Sequence, residues 1–437
     1  MSDTATNSPA PPAQDISGLA EHLFRHEAGR LVSVLTSIFG MDRLQFAEDV
    51  VQESLIKALK TWPYYGVPKN PAAWLTQTAK NLALDLVRRE KNFHDKQPQI
   101  IAFMEQWSAD ADDPDSHDHE IKDERLRLMF ACCHPQIPAD AQIALALKTL
   151  CGFSPEEIAK AFLTSEAAIA KRLVRARQRI RELEIQFEIP TGEAATVRLE
   201  SVMQTLYLLF NEGYKASSGE NLIREELCKE AIRLTTLLTA HPIGNQPRVH
   251  ALAALMYLNA ARLKARMDSE GNILLLRDQD RSLWDRTLVV HGIMHLSRSA
   301  TGDDLSEYHL QAGIAACHGT AKDYQSTDWA QILSLYDRLV SFDDSPVIAL
   351  NRAVAVANVH GPEAGIKALE AIRNQQPLNS YYLFYAVRAD FEVQLSRFAS
   401  AGDHLRKALE LTEVKSEQSL LTKRLQECEQ QRAAVTS

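Results

Sequence analysis

Basic side chains are concentrated in one short segment of a chain that is acidic overall. Between Lys160 and Arg181 there are seven basic residues and one acid, Glu166, whereas the whole chain has a formal net charge of −9. Lysine and arginine bind phosphate groups, and a helix that carries them can lie in the major groove of DNA. The chemistry that this segment offers is recognition of a nucleic acid. The alternative is an ordinary solvated basic helix face.

Cysteine and histidine could provide a second kind of chemistry, metal binding, but their spacing does not favour it. Cys132, Cys133 and His134 are adjacent, yet no second Cys/His pair stands nearby to complete a zinc site. His291 and His295 can share a helix face, but no neighbouring glutamate makes a metalloprotease motif. We therefore expect packed thiols, no metal and no cofactor.

Other features of the sequence argue against an enzyme and against a membrane protein. The chain has no glycine-rich phosphate loop or nucleophile elbow. No apolar run approaches the ~18 residues of a membrane span, and residues 1–17 lack a signal-peptide pattern. Six scattered cysteines suit a reducing compartment. We expect a cytoplasmic protein that is not an enzyme, that makes no contact with a membrane and that begins with a disordered leader.

Helical periodicity dominates the chain and predicts an all-α fold. Just before the basic segment, Ser154 and Pro155 have the character of a helix start, and within the segment Ser165 caps a longer helix after a turn. Apolar residues of this longer helix recur at helical spacing and predict one buried stripe, made of Ile169, Leu173, Ala176, Ile180 and Leu183. A short helix, a turn and a long basic helix together predict a helix-turn-helix.

Two helices nearer the N-terminus expose side chains with a different character. The first is predicted to bury the stripe Ala47, Val51, Leu55, Ala58 and Trp62, which leaves Asp49, Gln52 and Glu53 outside. A loop over 63–70 with Tyr64 and Tyr65 follows, and a second helix starts at Pro71 with the predicted core residues Leu75, Ala79, Leu82 and Leu86.

The other faces of this second helix carry Trp74, Asn81, Arg88 and Arg89. Aromatic and arginine side chains beside a loop suit unstacked bases of single-stranded DNA. Taken alone, however, Trp74 is more often a core aromatic.

These segments resemble a known family. The residues that carry the resemblance are Asp49-Val50-Val51-Gln52-Glu53, then Pro71-Ala72-Ala73-Trp74-Leu75, and later Arg172-Leu173-Val174-Arg175-Ala176-Arg177. They are similar to regions 2 and 4 of the bacterial sigma-70 family. The presence of these two regions without regions 1 and 3 is the pattern of the extracytoplasmic-function (ECF) sigma factors. The resemblance places region 2 at 18–98 and region 4 at 123–189, joined by an acidic flexible linker at 99–122.

The resemblance implies contacts with core RNA polymerase and promoter DNA. Region 2 would dock on the β′ clamp helices through Asp49, Gln52 and Glu53, and region 4 would meet the β flap. The residues implied at the −10 element are Tyr64, Tyr65, Trp74, Asn81, Arg88 and Arg89. Those implied at the −35 element are Ser165, Glu166, Ala168, Lys171, Arg172 and Arg175.

The rest of the chain is expected to contain a helical extension at 190–300 and helical repeats at 301–437. In the repeats, Ala353, Ala364, Ala368 and Ala371 are echoed 36 or 37 positions later by Ala389, Ala401, Leu405 and Ala408. This pattern resembles tetratricopeptide repeats, although Ser396 replaces an expected glycine. The polar cluster 278–285 is expected to cap a helix rather than to contact the sigma regions.

The arrangement is similar to an ECF subgroup with a fused tetratricopeptide-like extension. This resemblance implies a regulatory extension that binds either a protein partner or the chain's own sigma regions. The alternative is a helix-turn-helix transcriptional regulator with a helical-repeat sensory domain. The polar face at 49–53 together with the helix from Pro71 to Arg89 favours the sigma factor. A simple regulator needs neither a face that docks on core polymerase nor a loop that helps to separate the DNA strands.

Overall fold

The computed structural model describes residues 27–89, 117–162, 164–216, 223–302, 304–372 and 376–436. Within these ranges the chain forms helices and no strand, apart from a single antiparallel bridge between Met267 and Ile273. The predicted all-α fold is therefore confirmed. The chain divides into two compact units, Met1–Gly244 and Asn245–Ser437.

The first unit contains nine helices in its described residues. Their bounds are α1 (27–39), α2 (Leu44–Tyr65), α3 (Pro71–Arg89), α4 (His117–Cys132), α5 (Ala139–Cys151), α6 (Pro155–Ala161), α7 (Glu166–Glu182), α8 (Glu193–Tyr214) and α9 (Glu225–Ala240). The predicted leader and most of the predicted linker lie outside the described residues. Helix α4 begins at His117, within the range 99–122 that was assigned to the linker.

The predicted stripe of α2 is confirmed, because all five of its residues are buried. The stripe of α3 is partly wrong. Leu75 and Ala79 are buried as predicted, but the buried row continues through Ala83 and Val87, while Leu86 is 37% exposed. The row follows a spacing of four residues throughout, as a helix does when its i±4 ridge packs against a neighbour.

Helix α2 also extends further than predicted. Pro63, Tyr64 and Tyr65 belong to its last turn rather than to a loop. Because proline has no backbone N–H, Pro63 cannot donate the helical hydrogen bond to the Leu59 carbonyl oxygen, and the helix ends two residues later at Tyr65. The helix stops at Gly66, whose φ of 83° is a left-handed value that favours glycine, and the Gly66 N–H donates to the Trp62 carbonyl oxygen.

The two helices after region 4 belong to the same compact unit as regions 2 and 4. Helix α8 buries Leu199, Val202, Leu206 and Phe210, and it packs against α4 and α5 as well as α9. The first unit therefore ends at Gly244, whereas the sequence divided the chain near residue 190.

The second unit contains a further nine helices. Their bounds are α10 (Pro247–Ala260), α11 (Arg286–Ser299), α12 (Glu307–Thr320), α13 (Trp329–Phe342), α14 (Pro346–His360), α15 (Pro362–Glu370), α16 (Tyr382–Gln394), α17 (Phe398–Glu410) and α18 (Lys415–Thr436). Most of these helices pack against the next helix in the sequence. This is the contact pattern of a helical array.

The last helices include two helical hairpins, α14–α15 and α16–α17, as the internal repeat predicts. The core of the first hairpin includes Leu369 and Ile372, while Ala371 is exposed. In the second hairpin, Leu405 matches Leu369 and Ala408 matches Ile372, and both residues are fully buried. The offset between the hairpins is therefore 36 at each of these positions rather than 36 or 37. Ser396 takes a φ of 59° in the turn where a glycine was expected.

The polar cluster at 278–285 has the structural role that we expected. Asp285 caps α11 by accepting hydrogen bonds from the Thr287 and Leu288 amides, at 2.9 and 3.1 Å. The guanidinium of Arg281 is buried and donates to the His318 and Ala321 carbonyl oxygens.

None of the helices in the described ranges has both the length and the apolar character needed to span a membrane.

Candidate nucleic-acid and polymerase interface

The helix-turn-helix is fixed by local hydrogen bonds at both helix starts. The Ser154 hydroxyl accepts from the Glu157 amide at 3.1 Å, and the Glu157 carboxylate accepts from the Ser154 amide at 2.8 Å. This capping box satisfies two backbone donors of α6. Ser165 caps α7 by accepting from the Ala168 amide at 3.3 Å. The first four residues of the predicted stripe of α7 are buried, and Leu183 is half-buried.

Helix α7, which we call the recognition helix, presents two kinds of basic residue. Lys171, Arg175 and Arg181 are exposed and form no ion pair within the described part of the chain. Arg172 is half-buried, and its Nε lies 3.0 Å from Oδ2 of Asp140 on α5. Arg177 pairs with Glu48 on α2. The cations that are available for phosphate therefore lie along one edge, which includes Lys171 and Arg175.

The other predicted −35 residues lie at the start of the same helix. Ser165 and Glu166 are exposed, and Ala168 is half-buried. The six predicted residues thus form one continuous segment of the recognition helix. The exposed positions near its N-terminus are those that can reach base edges in a groove.

A second surface lies on α2 and α3. Tyr64 and Tyr65 are 85% and 86% exposed at the end of α2, an unusual exposure for two adjacent aromatic rings. Trp74 is half-buried and packs edge-on against the buried Trp62, with ring centroids 5.5 Å apart. Trp74 therefore contributes to the core, which the sequence left open, and the tyrosines form the exposed aromatic part of the surface.

The polar residues predicted on this surface are exposed as well. Asn81 accepts a hydrogen bond from Gln77 at 3.0 Å, and Arg88 lies 3.8 Å from Asp85. Arg89 is exposed in the last turn of α3. Exposed ion pairs of this kind are weak, so a phosphate group can displace the carboxylate of Asp85.

The predicted polymerase-docking face lies on α2. Asp49, Gln52 and Glu53 are all exposed, and Asp49 accepts a hydrogen bond from Gln45 at 2.7 Å. The residue that the sequence did not reveal is Glu48, which lies beside this face and points inward. Nothing in its local pattern distinguishes it from the acids around it, because its partners are about 100 and 130 positions away.

The cysteines next to region 4 are buried, as expected. Burial raises the pKa of Cys133 to about 12 and that of Cys132 well above its ordinary value. His295, which was considered as a metal ligand, lies in the second unit, with its Nδ1 2.9 Å from Nδ1 of His250. His291 is exposed on the same helix. Among the described residues there is no group of three or more potential metal ligands.

Buried ion pairs attach the extension to region 4. Arg224 reaches Glu157 at 2.6 Å and Glu212 at 3.4 Å, and all three side chains are at most 11% exposed. Arg125 of α4 pairs with Glu230 of α9. Arg198 of α8 donates to the Phe130 carbonyl oxygen at 3.1 Å. Because Glu157 also closes the capping box, the extension is fastened to the same residue that starts the helix-turn-helix.

Comparison with known families identifies three segments. Residues 23–93 match sigma-70 region 2, and residues 127–180 match sigma-70 region 4. Residues 198–300 match a family of unknown function, DUF6596. This third match continues past Gly244 and so covers parts of both compact units.

Two proteins show how far the similarity extends. An uncharacterized protein of Rhizobium meliloti (strain 1021) is 37% identical over 388 residues, which cover 87% of this chain and 90% of that protein. The ECF RNA polymerase sigma factor SigE of Mycolicibacterium smegmatis is 26% identical over 176 residues, which cover 40% of this chain and 65% of that protein. No solved structure matches.

The sigma-70 matches cover the two surfaces described above. The region 2 match contains Asp49, Tyr64 and Arg88, and the region 4 match contains most of the recognition helix. The chain therefore belongs to one family with the Rhizobium meliloti protein, and its region 2 and region 4 domains are those of the sigma-70 family of transcription initiation factors.

Proposed function

We propose that this sigma factor directs core RNA polymerase to promoters of a particular sequence and helps to open the DNA at the −10 element. The observation that carries the proposal is the presence of two separate exposed surfaces in one compact unit. One is the basic edge of the recognition helix, with Lys171 and Arg175, and the other is the aromatic end of α2, with Tyr64 and Tyr65. A protein that binds only duplex DNA does not need two exposed tyrosines beside the loop at 66–70, because bases stack on aromatic side chains when they are single-stranded.

The roles of the two surfaces follow from their chemistry. The recognition helix would bind the −35 element through Ser165, Glu166, Ala168, Lys171, Arg172 and Arg175, with the longer cations on phosphates. The −10 element would be held through Tyr64, Tyr65, Asn81, Arg88 and Arg89, with Trp74 supporting the loop from within. Asp49, Gln52 and Glu53 would dock on the β′ clamp helices, and region 4 would meet the β flap.

The test separates DNA binding from polymerase binding in the full-length protein. We expect the double substitution Lys171→Ala and Arg175→Ala to lower promoter affinity at least tenfold, because two phosphate contacts are lost, and to leave polymerase affinity unchanged. Arg179→Ala is the matched control, since this residue lies on the same helix but pairs with Glu182 in the last turn. A loss of both affinities together would contradict the division of roles.

The docking face is tested by the reverse experiment. Glu53→Lys places a cation on the proposed face and should weaken polymerase binding at least tenfold while free promoter binding is kept. Leu59→Lys introduces the same charge at an exposed position on another face of α2 and should have no such effect. Equal polymerase affinity of Glu53→Lys and the wild-type protein would rule out this face.

For the second unit we propose a regulatory role. Its consecutive helical hairpins, with a repeat of 36 residues and small side chains at the buried positions Ala353, Ala389 and Ala401, support a tetratricopeptide-like array. Such arrays bind peptides or other proteins. The partner would be another protein or the chain's own sigma regions. Helices α8 and α9 have a different role, because they share the core of region 4.

This division decides where the chain should be shortened. A chain that stops after Pro190 lacks Arg224 and Glu230 and should unfold region 4, whereas one that stops after Gly244 retains the first unit. We expect the chain ending at Gly244 to bind promoter DNA and to respond differently in transcription from the full-length protein. Identical transcription by the two proteins would exclude a regulatory role for the second unit under the conditions used.

A further inference from the structure

The second unit contains a segment that is fastened to two of its repeat helices. Residues 268–277, which we call the strap, lie in the connection between α10 and α11. The Arg277 guanidinium donates to both carboxylate oxygens of Asp390 on α16, at 3.1 and 2.7 Å. The Ser419 hydroxyl of α18 donates to the side-chain oxygen of Asn272 at 2.8 Å. These partners are 113 and 147 positions apart in the sequence, so the strap crosses to a distant part of the array.

The strap contacts both sides of a seam between α16 and α18. Two side-chain contacts join these helices directly, since Arg424 of α18 donates to Asp390 at 2.8 Å and the Tyr382 hydroxyl of α16 donates to Glu417 at 2.7 Å. Helices α14, α16 and α18 alternate with α15 and α17, so they hold equivalent places in successive repeats. Helical-repeat proteins bind their partners on the extended surface that such stacking creates. The strap thus occupies the kind of surface that an array offers to a peptide.

The middle of the strap is less buried than the residues that flank it. The four apolar residues 273–276 are only half-buried. Arg266 and Gln279, which flank the strap, are 9% and 8% exposed. Segments with few buried contacts open locally at a small cost in free energy. The strap can therefore leave the seam while its two ends stay in place.

The contact at Asp390 selects the kind of group that can replace the strap. This carboxylate is 21% exposed and accepts hydrogen bonds from the guanidinium groups of Arg277 and Arg424. The two parallel N–H donors of an arginine match a carboxylate in a way that a lysine does not. Because Arg277 is 39% exposed, solvent reaches its pair with Asp390 and limits the stability that the pair contributes. An arginine of another chain can take its place if apolar residues before it cover the surface that 273–276 cover.

We propose that the seam between α16 and α18 is a peptide-binding site, that the strap occupies it in the free protein, and that a protein partner displaces the strap with an apolar run followed by an arginine. The inference rests on the proposed regulatory role of the second unit, for which it names the surface and the partner. A short tether gives an attached segment an effective concentration of the order of 1 mM. A free peptide with the same contacts is therefore excluded at micromolar concentrations, and the partner must bind more tightly than the strap.

Binding of a labelled peptide to the full-length protein tests the site. The probe is a fluorescent synthetic peptide with the sequence of residues 268–279. Arg277→Ala removes the pair between the strap and Asp390, so the seam should be open more often, and this variant should bind the peptide at least fivefold more tightly than the wild-type protein. A peptide that itself carries Arg277→Ala should bind the variant at least fivefold more weakly than the original peptide does.

The matched control is Arg352→Ala. Arg352 pairs with Asp337 at 2.6 Å and is 37% exposed, so its pair resembles that of Arg277, but it joins α14 to α13 and not to the strap. This variant should bind the peptide no more tightly than the wild-type protein. The proposal would be overturned if Arg277→Ala bound no peptide, if it bound the peptide only as tightly as the wild-type protein, or if both variants gained affinity equally.

Hydrogen exchange measured by mass spectrometry tests displacement of the strap. The Leu274 amide donates to the Arg266 carbonyl oxygen at 2.9 Å, and we expect it to exchange faster once the strap leaves the seam. Excess peptide should raise the exchange rate of the strap in the wild-type protein at least fivefold and leave fragments of α10 unchanged. Peptide binding without faster exchange of the strap would place the bound peptide elsewhere and would overturn the proposal.

These measurements need neither promoter DNA nor core polymerase, so they are independent of the proposed function. Identical transcription by the full-length protein and by the chain ending at Gly244 would overturn the regulatory role of the second unit, whereas the peptide data would still report the site. Failure of the peptide experiments would remove the site and leave the transcription result standing.

Discussion

Replacement of Arg224 by alanine should destabilise the first unit far more than an ordinary surface substitution. Arg224 lies in the extension, yet it pairs with Glu157 of the helix-turn-helix at 2.6 Å and with Glu212 at 3.4 Å, and both carboxylates are at most 7% exposed. Its removal deprives two buried carboxylates of this cation. Breaking a buried pair by deleting one partner costs about 3–5 kcal/mol. Because Arg224 itself keeps some exposure, we expect a loss of about 3 kcal/mol.

For a unit of this size, such a loss corresponds to a decrease in melting temperature of roughly 6–12 °C. The assay is urea unfolding and calorimetry of the full-length protein, with promoter binding measured below the transition. Arg233→Ala is the matched control, since Arg233 pairs with Glu230 in the same extension but is 37% exposed, and it should cost less than about 1 kcal/mol. If Arg224→Ala were as stable as Arg233→Ala, the buried pairs of Arg224 would not hold the extension to the helix-turn-helix.

Two further predictions concern the second unit. Burial, with a smaller contribution from His250, lowers the pKa of His295 from 6.5 to about 4. Since folding favours the neutral imidazole, the stability that His295 contributes should be complete above pH 6.5 and be lost as the pH falls towards 4. Urea unfolding should show a weaker pH dependence of stability in His295→Gln than in the wild-type protein, whereas His291→Gln, which changes an exposed residue, should keep the wild-type dependence. Equal pH dependence of both variants would contradict the burial argument. Ser396→Gly should raise the stability of this unit by about 1 kcal/mol, because it removes a side chain from a left-handed residue with φ of 59°; an unchanged or lower melting temperature would contradict it.

Short-range patterns predicted much of the fold. Ser154, Glu157 and Ser165 specify the helix-turn-helix because capping is decided within three residues, and the stripe of α7 follows directly from helical spacing. The exposure of most residues proposed for docking and DNA binding was also predictable, because solvent-facing positions are what remain when the apolar stripe is assigned. Trp74 was the exception, and its contact with Trp62 depends on how α3 crosses α2.

Contacts between distant segments were beyond the reach of these patterns. Helix α1 has an apolar side that includes Leu31 and Leu35, but the structure buries nine of the ten residues from Glu27 to Thr36, because α1 packs on more than one side. The partners of Glu48, and the partner Glu157 of Arg224, are 67 or more positions away. A lone acidic or basic residue carries no sign of such a partner, so the extent of the first unit emerges only from the three-dimensional packing.

In vitro transcription with core polymerase tests the central claim most directly. The full-length protein is added to core enzyme on a pool of promoter fragments, beside the Lys171→Ala, Arg175→Ala double variant and the Arg179→Ala control. We predict initiation at a restricted set of promoters, retained by the control and reduced at least tenfold by the double variant. Binding of the protein to DNA without any initiation by the wild-type chain would contradict the account and would favour a helix-turn-helix regulator instead.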